Sequence, residues 1–136
     1  MPHDPARVSD TKSWLARAAD DLEAAKRLLK APALFGAAVF HCQQAAEKAL
    51  KGFLAWHDTP FRKTHDLEEV GEACIAIDAT LRETIDRAIP LTEYAWKFRY
   101  PGEPEEPTRE ETDDALAAAR DVYAAIAALL PDEAKP

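Results

Sequence analysis

Glycine is scarce in this chain of 136 residues: there are four, against ten prolines. Alanine is abundant, and the pairing of many alanines with few glycines favours helices, because alanine loses the least entropy in a helix and glycine the most. Cysteine is equally sparse. Cys42 and Cys74 are the two present, neither stands near another at metal-ligand spacing, and both fall inside apolar patterns. They are expected to be small buried hydrophobes in a reducing compartment, not a disulfide or a metal site. No stretch alternates apolar and polar residues as a half-buried strand does. No run approaches the roughly 20 apolar residues that cross a bilayer, and the opening MPHDPARVSD has no apolar core of a secretory signal. A cytoplasmic location is the expectation. Basic charge is also short, with 17 Lys and Arg against 25 Asp and Glu and a formal net charge of −8. An acidic chain repels phosphates and is a poor general binder of nucleic acid.

The charge is uneven, however. Between Lys48 and Lys63 stand Lys48, Lys51, Arg62 and Lys63 against Asp58 alone, whereas seven carboxylates and Arg109 occupy the stretch from Glu103 to Asp114. A local basic patch can therefore persist inside an acidic protein, unless each run is only a solvated face. Length and a 47% apolar share suit a single domain over residues 1–136, with its core at about 10–130.

Apolar spacing predicts an all-α, up-and-down bundle of about five helices. The first runs from about Asp10 to Lys30, capped by Ser9 or Asp10, with Trp14, Leu15, Ala18, Leu22, Ala25 and Leu29 on one face and Pro32 beyond its end. The second covers about Ala33 to Trp56, with its stripe at Phe35, Val39, Cys42, Ala46, Ala49, Leu50 and Phe53. Phe40 lies on the opposite side with Gln44, Lys48 and Lys51. A large ring there implies cover on two sides, by other helices or by a second subunit. A third helix starts after Thr64 or His65, with Thr64 or Asp66 as cap, and ends near Ile77. A fourth spans about Thr80 to Arg99, kinked at Pro90 or broken there into two. Three prolines between Pro101 and Pro107 make an extended connection. The fifth helix then opens at Thr108 with a capping box to Glu111 and runs to about Leu130.

Three segments, in this order, carry a family resemblance: Phe40-His41-Cys42-Gln43-Gln44-Ala45-Ala46-Glu47-Lys48-Ala49-Leu50-Lys51, then Thr64-His65-Asp66-Leu67, then Phe98-Arg99-Tyr100-Pro101. With Trp14 and Ala19-Asp20-Asp21-Leu22 in the opening helix, the set resembles the HEPN family (higher eukaryotes and prokaryotes nucleotide-binding domain) over roughly Trp14 to Leu130. The resemblance implies a helical bundle, often a homodimer, that binds nucleotides or RNA. It also implies a frequent pairing with a minimal nucleotidyltransferase as toxin and antitoxin. Active members are metal-independent ribonucleases that use an Arg and, after a short spacer, a His. Here Arg99 is well placed, but Glu103, Pro104, Glu105 and Glu106 stand where the His belongs, and no His follows His65. Such cleavage needs proton transfer to and from the reacting oxygens, for which imidazole is suited.

The candidate ligand or phosphate-binding residues are His41, Gln44, Lys48, Lys51 and Arg99. The first four project to one side of the second helix, and Arg99 offers a bidentate guanidinium. The structural alternative is a hydrogen-bond network that sets helix register, with Arg99 satisfying the last carbonyls of its helix. His65 and Asp66 are expected to orient the third helix, and Lys97 and Arg62 are further cations that can share the cleft. No cofactor is expected, since glycine-rich phosphate loops and metal-ligand spacings are lacking. Three readings follow: a nucleotide or RNA binding and interaction module, a ribonuclease toxin in which His41 or a Glu replaces the missing His, and a structural dimer without ligand.

Overall fold

The computed structural model describes residues 2–102 and 105–136. Five α-helices carry the fold: α1 (Pro5–Leu28), α2 (Phe35–Trp56), α3 (Leu67–Ile77), α4 (Arg82–Ala88) and α5 (Arg109–Ala128). None is long and apolar enough to cross a membrane. Short 3-10 turns at Ala79–Leu81 and Ile89–Ala95 flank α4, and a third closes the chain at Asp132–Ala134.

α1 begins five residues earlier than its apolar stripe predicts. Asp4, not Ser9 or Asp10, is its cap, with Oδ1 accepting from Ala6 N at 3.1 Å. Pro5 suits the first turn, where its missing N–H leaves no bond unmade. The extra turn is held by tertiary contacts: the Arg7 guanidinium lies 4.7 Å above the Trp56 ring, and Val8 packs against the core. A stripe search cannot see a turn whose anchor is a cation on a distant ring.

α2 is the centre of the bundle. Fifteen of its 22 residues are buried, so it is covered nearly all round, as a helix apolar on several faces requires. α1 packs along it, and α5, α3 and the Ile89–Ala95 turn close the other sides. Leu15, Ala18, Val39, Cys42, Ala46, Leu50, Phe53, Ala119, Val122 and Ile126 meet in one core. At Gly52 a Cβ would lie 2.5 Å from Leu15 Cδ2 and 3.1 Å from Trp14 Cβ, so glycine is what lets α1 approach. Burial pushes the Cys42 and Cys74 thiols up to about 12, which leaves them as packing groups.

The expected fourth helix is broken at Pro90, into α4 and a 3-10 turn that carries the proline as its second residue. Proline lacks the N–H that a continuous helix would need there. α3 is capped by Asp66, whose Oδ1 accepts from Glu68 N at 2.9 Å. α5 has its full capping box: Glu111 N donates to Thr108 Oγ1 at 3.0 Å, and Thr108 N donates to Glu111 Oε1 at 3.3 Å. In the connection before it, Glu103 and Pro104 lie outside the described residues.

His57, just after α2, sets one pH response. Its ring lies 4.5 Å from that of Phe53, and burial, reinforced by the nearby Arg7 cation, holds its pKa below the ordinary histidine value. A group depressed in the folded state contributes stability above its unfolded pKa, about 6.5, and loses it as pH falls through the folded value. The urea midpoint is therefore expected to fall between about pH 7 and pH 5, and His57→Asn to flatten that slope. An unchanged slope would mean that His57 does not sense folding.

Candidate functional site

Two carboxylates that sequence reading did not single out organise the polar side of α2. The first is Asp21 on α1, 8% exposed. Its Oδ1 accepts from His41 Nδ1 at 2.8 Å and its Oδ2 from Lys48 Nζ at 2.7 Å. The His41 and Lys48 side chains keep 31% and 25% of their exposure, so both reach solvent beside a buried anion. The second is Glu47 on α2 itself. Its Oε2 accepts from Lys51 Nζ at 3.0 Å, and its Oε1 accepts from His65 Nδ1 at 2.7 Å and Gln43 Nε2 at 3.2 Å. Lys51 also donates to the Thr64 carbonyl at 3.0 Å, and Gln43 to the His65 carbonyl at 3.0 Å. Gln44 Nε2 donates to Gln43 Oε1 at 2.7 Å. This second network ties the loop before α3 to α2 and leaves each buried member satisfied, which is what a charged core requires.

Arg99 is brought to α2 by the chain reversal after the Ile89–Ala95 turn. Phe98 adopts φ +67°, a left-handed backbone that is costly for an aromatic residue and has to be held by its surroundings. Gly36 makes room for it: a Cβ there would lie 3.3 Å from Phe98 Cβ. The reversal places the Arg99 guanidinium 4.0 Å above the Phe40 ring, with Nη1 donating to the Ala95 carbonyl at 3.1 Å. The Phe40 ring in turn lies 5.3 Å from that of His41. Gly36, Ala37, Phe40, Phe98 and Arg99 line a surface groove here. The half-buried Phe40 is thus covered from within its own chain, and its ring is the platform between Arg99 and His41.

The five candidate residues therefore divide. His41 and Lys48 share Asp21, and Arg99 joins them through Phe40. Gln44 borders them, one turn of α2 after His41, and is linked to the Glu47 network. Lys51 points elsewhere: 7% of its side chain is exposed, and its ammonium faces Glu47, with the Trp14 and Phe61 rings 6.0 and 5.6 Å away. Lys97 is engaged by Glu93, and Arg62 by Glu69, so the wider basic cleft does not assemble. His65 and Asp66 fix the start of α3, as their positions in the sequence suggest. One signal did point to the carboxylates. Asp21 falls within the apolar stripe of Ala18, Leu22 and Ala25, and Glu47 next to Ala46 and Leu50, where an unpaired charge would not be tolerated.

Comparison with curated proteins and with solved structures finds no match. The family model described as HEPN domain, in contrast, matches residues 11–129. That span runs from α1 to just past the end of α5 and takes in Asp21, His41, Glu47, Lys48 and Arg99. This chain, whose described residues form five α-helices around a buried α2, belongs to the HEPN domain family.

Proposed function

We propose that this protein is a nucleotide- or RNA-binding module that holds a phosphate on Arg99 in the groove beside Phe40, with Lys48 as a second cation and His41 at its border. The observation that carries this reading is the seating of Arg99. Arg99 is an exposed residue whose guanidinium lies over the Phe40 ring, with one N–H spent on the Ala95 carbonyl. Stacking orients the fork while leaving its other N–H edge available for a phosphate. Lys48 adds a second cation whose position is set by Asp21. Trp96 and Tyr100, 52% and 61% exposed on either side of Arg99 in the chain, are surfaces on which a base can stack. With Leu34, these exposed rings also support a homodimer. A minimal nucleotidyltransferase, as antitoxin to this chain, is the protein partner that the family resemblance implies.

Binding is preferred to cleavage on chemical grounds. The histidine beside this groove is His41, and its Nδ1 is committed to Asp21, while the connection after Arg99 has carboxylates and no imidazole where cleavage would need a proton-transfer group. The test is metal-free titration of labelled single-stranded RNA and of adenosine monophosphate, followed by anisotropy and calorimetry. A charge-assisted contact contributes about 1.5–3 kcal/mol, so Arg99→Ala is expected to weaken binding by about 10- to 100-fold while the RNA stays intact. Equal affinity of the variant would sink the reading. RNA cleavage that disappears in Arg99→Ala would restore the ribonuclease instead.

A further inference from the structure

The two buried carboxylates do more than neutralise cations: they fix which way the neighbouring polar groups present themselves. An ionised carboxylate only accepts hydrogen bonds. His41 Nδ1, 2.8 Å from Asp21 Oδ1, must therefore carry the proton, and in the neutral ring Nε2 is the bare acceptor. The same logic runs through Glu47. Gln43 turns its amide nitrogen to Glu47 Oε1 and to the His65 carbonyl, which leaves its oxygen to receive the Gln44 amide nitrogen at 2.7 Å. Among the described residues, the Gln44 carbonyl oxygen receives no hydrogen bond. The His41 side chain keeps 31% of its exposure and Gln44 is half-buried, so both residues reach the surface. His41 and Gln44 are three residues apart on α2 and hence neighbours on its surface.

We infer that Asp21 and Glu47 are positioning residues that set His41 Nε2 and Gln44 Oε1 as a pair of acceptors for the hydroxyl groups of a ribose, making the site selective for ribonucleotides over 2′-deoxyribonucleotides. This rests on the phosphate groove proposed above and adds to it the part of the ligand that the cations cannot read. Arg99 and Lys48 are donors and bind phosphate whatever sugar bears it. The two acceptors have no use for a phosphate oxygen, but a hydroxyl can donate to each. A site built to accept from a hydroxyl discriminates against the analogue that lacks it, and the 2′-OH is the group that separates RNA from DNA. Asp21 acts through His41 and Glu47 through Gln43 and Gln44.

The experiment pairs a spectroscopic measurement with a binding one. Nitrogen-15 correlation spectra of the histidine rings, taken well above the ordinary imidazole pKa of about 6.5, report which His41 nitrogen carries the proton. Adenosine monophosphate and its 2′-deoxy analogue are then titrated into wild type, Asp21→Asn and His41→Ala. The expected result is a proton on Nδ1 and about tenfold tighter binding of the ribonucleotide, the scale of one net hydrogen bond. In Asp21→Asn the side-chain amide can donate to Nδ1, the proton moves to Nε2, and the preference is lost. His41→Ala loses the preference without touching the carboxylate, which covers the case in which Asp21→Asn does not fold. A proton on Nε2 in wild type overturns the inference. So does equal, Arg99-dependent binding of both nucleotides, which would leave the phosphate groove standing. If neither nucleotide binds, the groove itself fails and the sugar selectivity falls with it.

Discussion

Glu47→Leu is expected to destabilise the protein by about 3–5 kcal/mol, because it leaves a buried ammonium without its counter-charge. Lys51 is 7% exposed in its side chain and has Glu47 Oε2 as its carboxylate partner. The substitution also strips His65 and Gln43 of their acceptor, so the loop that leads into α3 loses its His65 tie to α2. Urea unfolding followed by circular dichroism measures the effect. The double variant Glu47→Leu, Lys51→Met removes both charges and should recover a large part of the loss, since replacing a buried pair with apolar groups is often near neutral. A single variant as stable as wild type would mean that water reaches Lys51 freely and that the pair is not part of the core.

Phe53→Ala is expected to cost a similar amount, about 3–5 kcal/mol, for a different physical reason. The ring is 1% exposed and packed in the centre of the bundle, so truncation removes its transfer free energy and leaves a cavity. The same unfolding measurement checks it, and a loss under about 1 kcal/mol would mean that the core collapses into the space. The two variants should then part company at the site. Phe53 lies 13 residues beyond Phe40 on α2, about 20 Å along the helix, so nucleotide affinity should persist wherever Phe53→Ala is folded. Glu47→Leu releases Gln43 and with it Gln44, so its binding should change. Total stabilities of about 5–15 kcal/mol make either loss large enough to measure.

The site was half legible. His41, Gln44 and Lys48 could be grouped from helical spacing alone, because α2 carries them at fixed angular intervals. Lys51 fits the same spacing, yet its ammonium is turned inward to Glu47 and Thr64. Spacing gives the direction of a Cβ, whereas the far end of a lysine goes wherever an anion and an acceptor await it. Arg99 was visible as a residue but not as a neighbour of Phe40. Its place depends on the left-handed Phe98 and on the space left by Gly36.

What the sequence determined by itself was local. The helical class, an interruption at Pro90, a cap at Thr64 or Asp66 and the Thr108–Glu111 box follow from propensities and hydrogen bonds that close within a few residues. The apolar stripes likewise told which face of each helix is inward. The tertiary structure decided which polar groups became partners. Asp21 meets His41 and Lys48 across 20 and 27 residues of chain, and Glu47 meets His65 across 18. It also decided the true start of α1, set by Arg7 on Trp56. Such pairs form only after apolar faces have brought the helices together and excluded water, and a buried charge then has to find its opposite wherever packing has placed it.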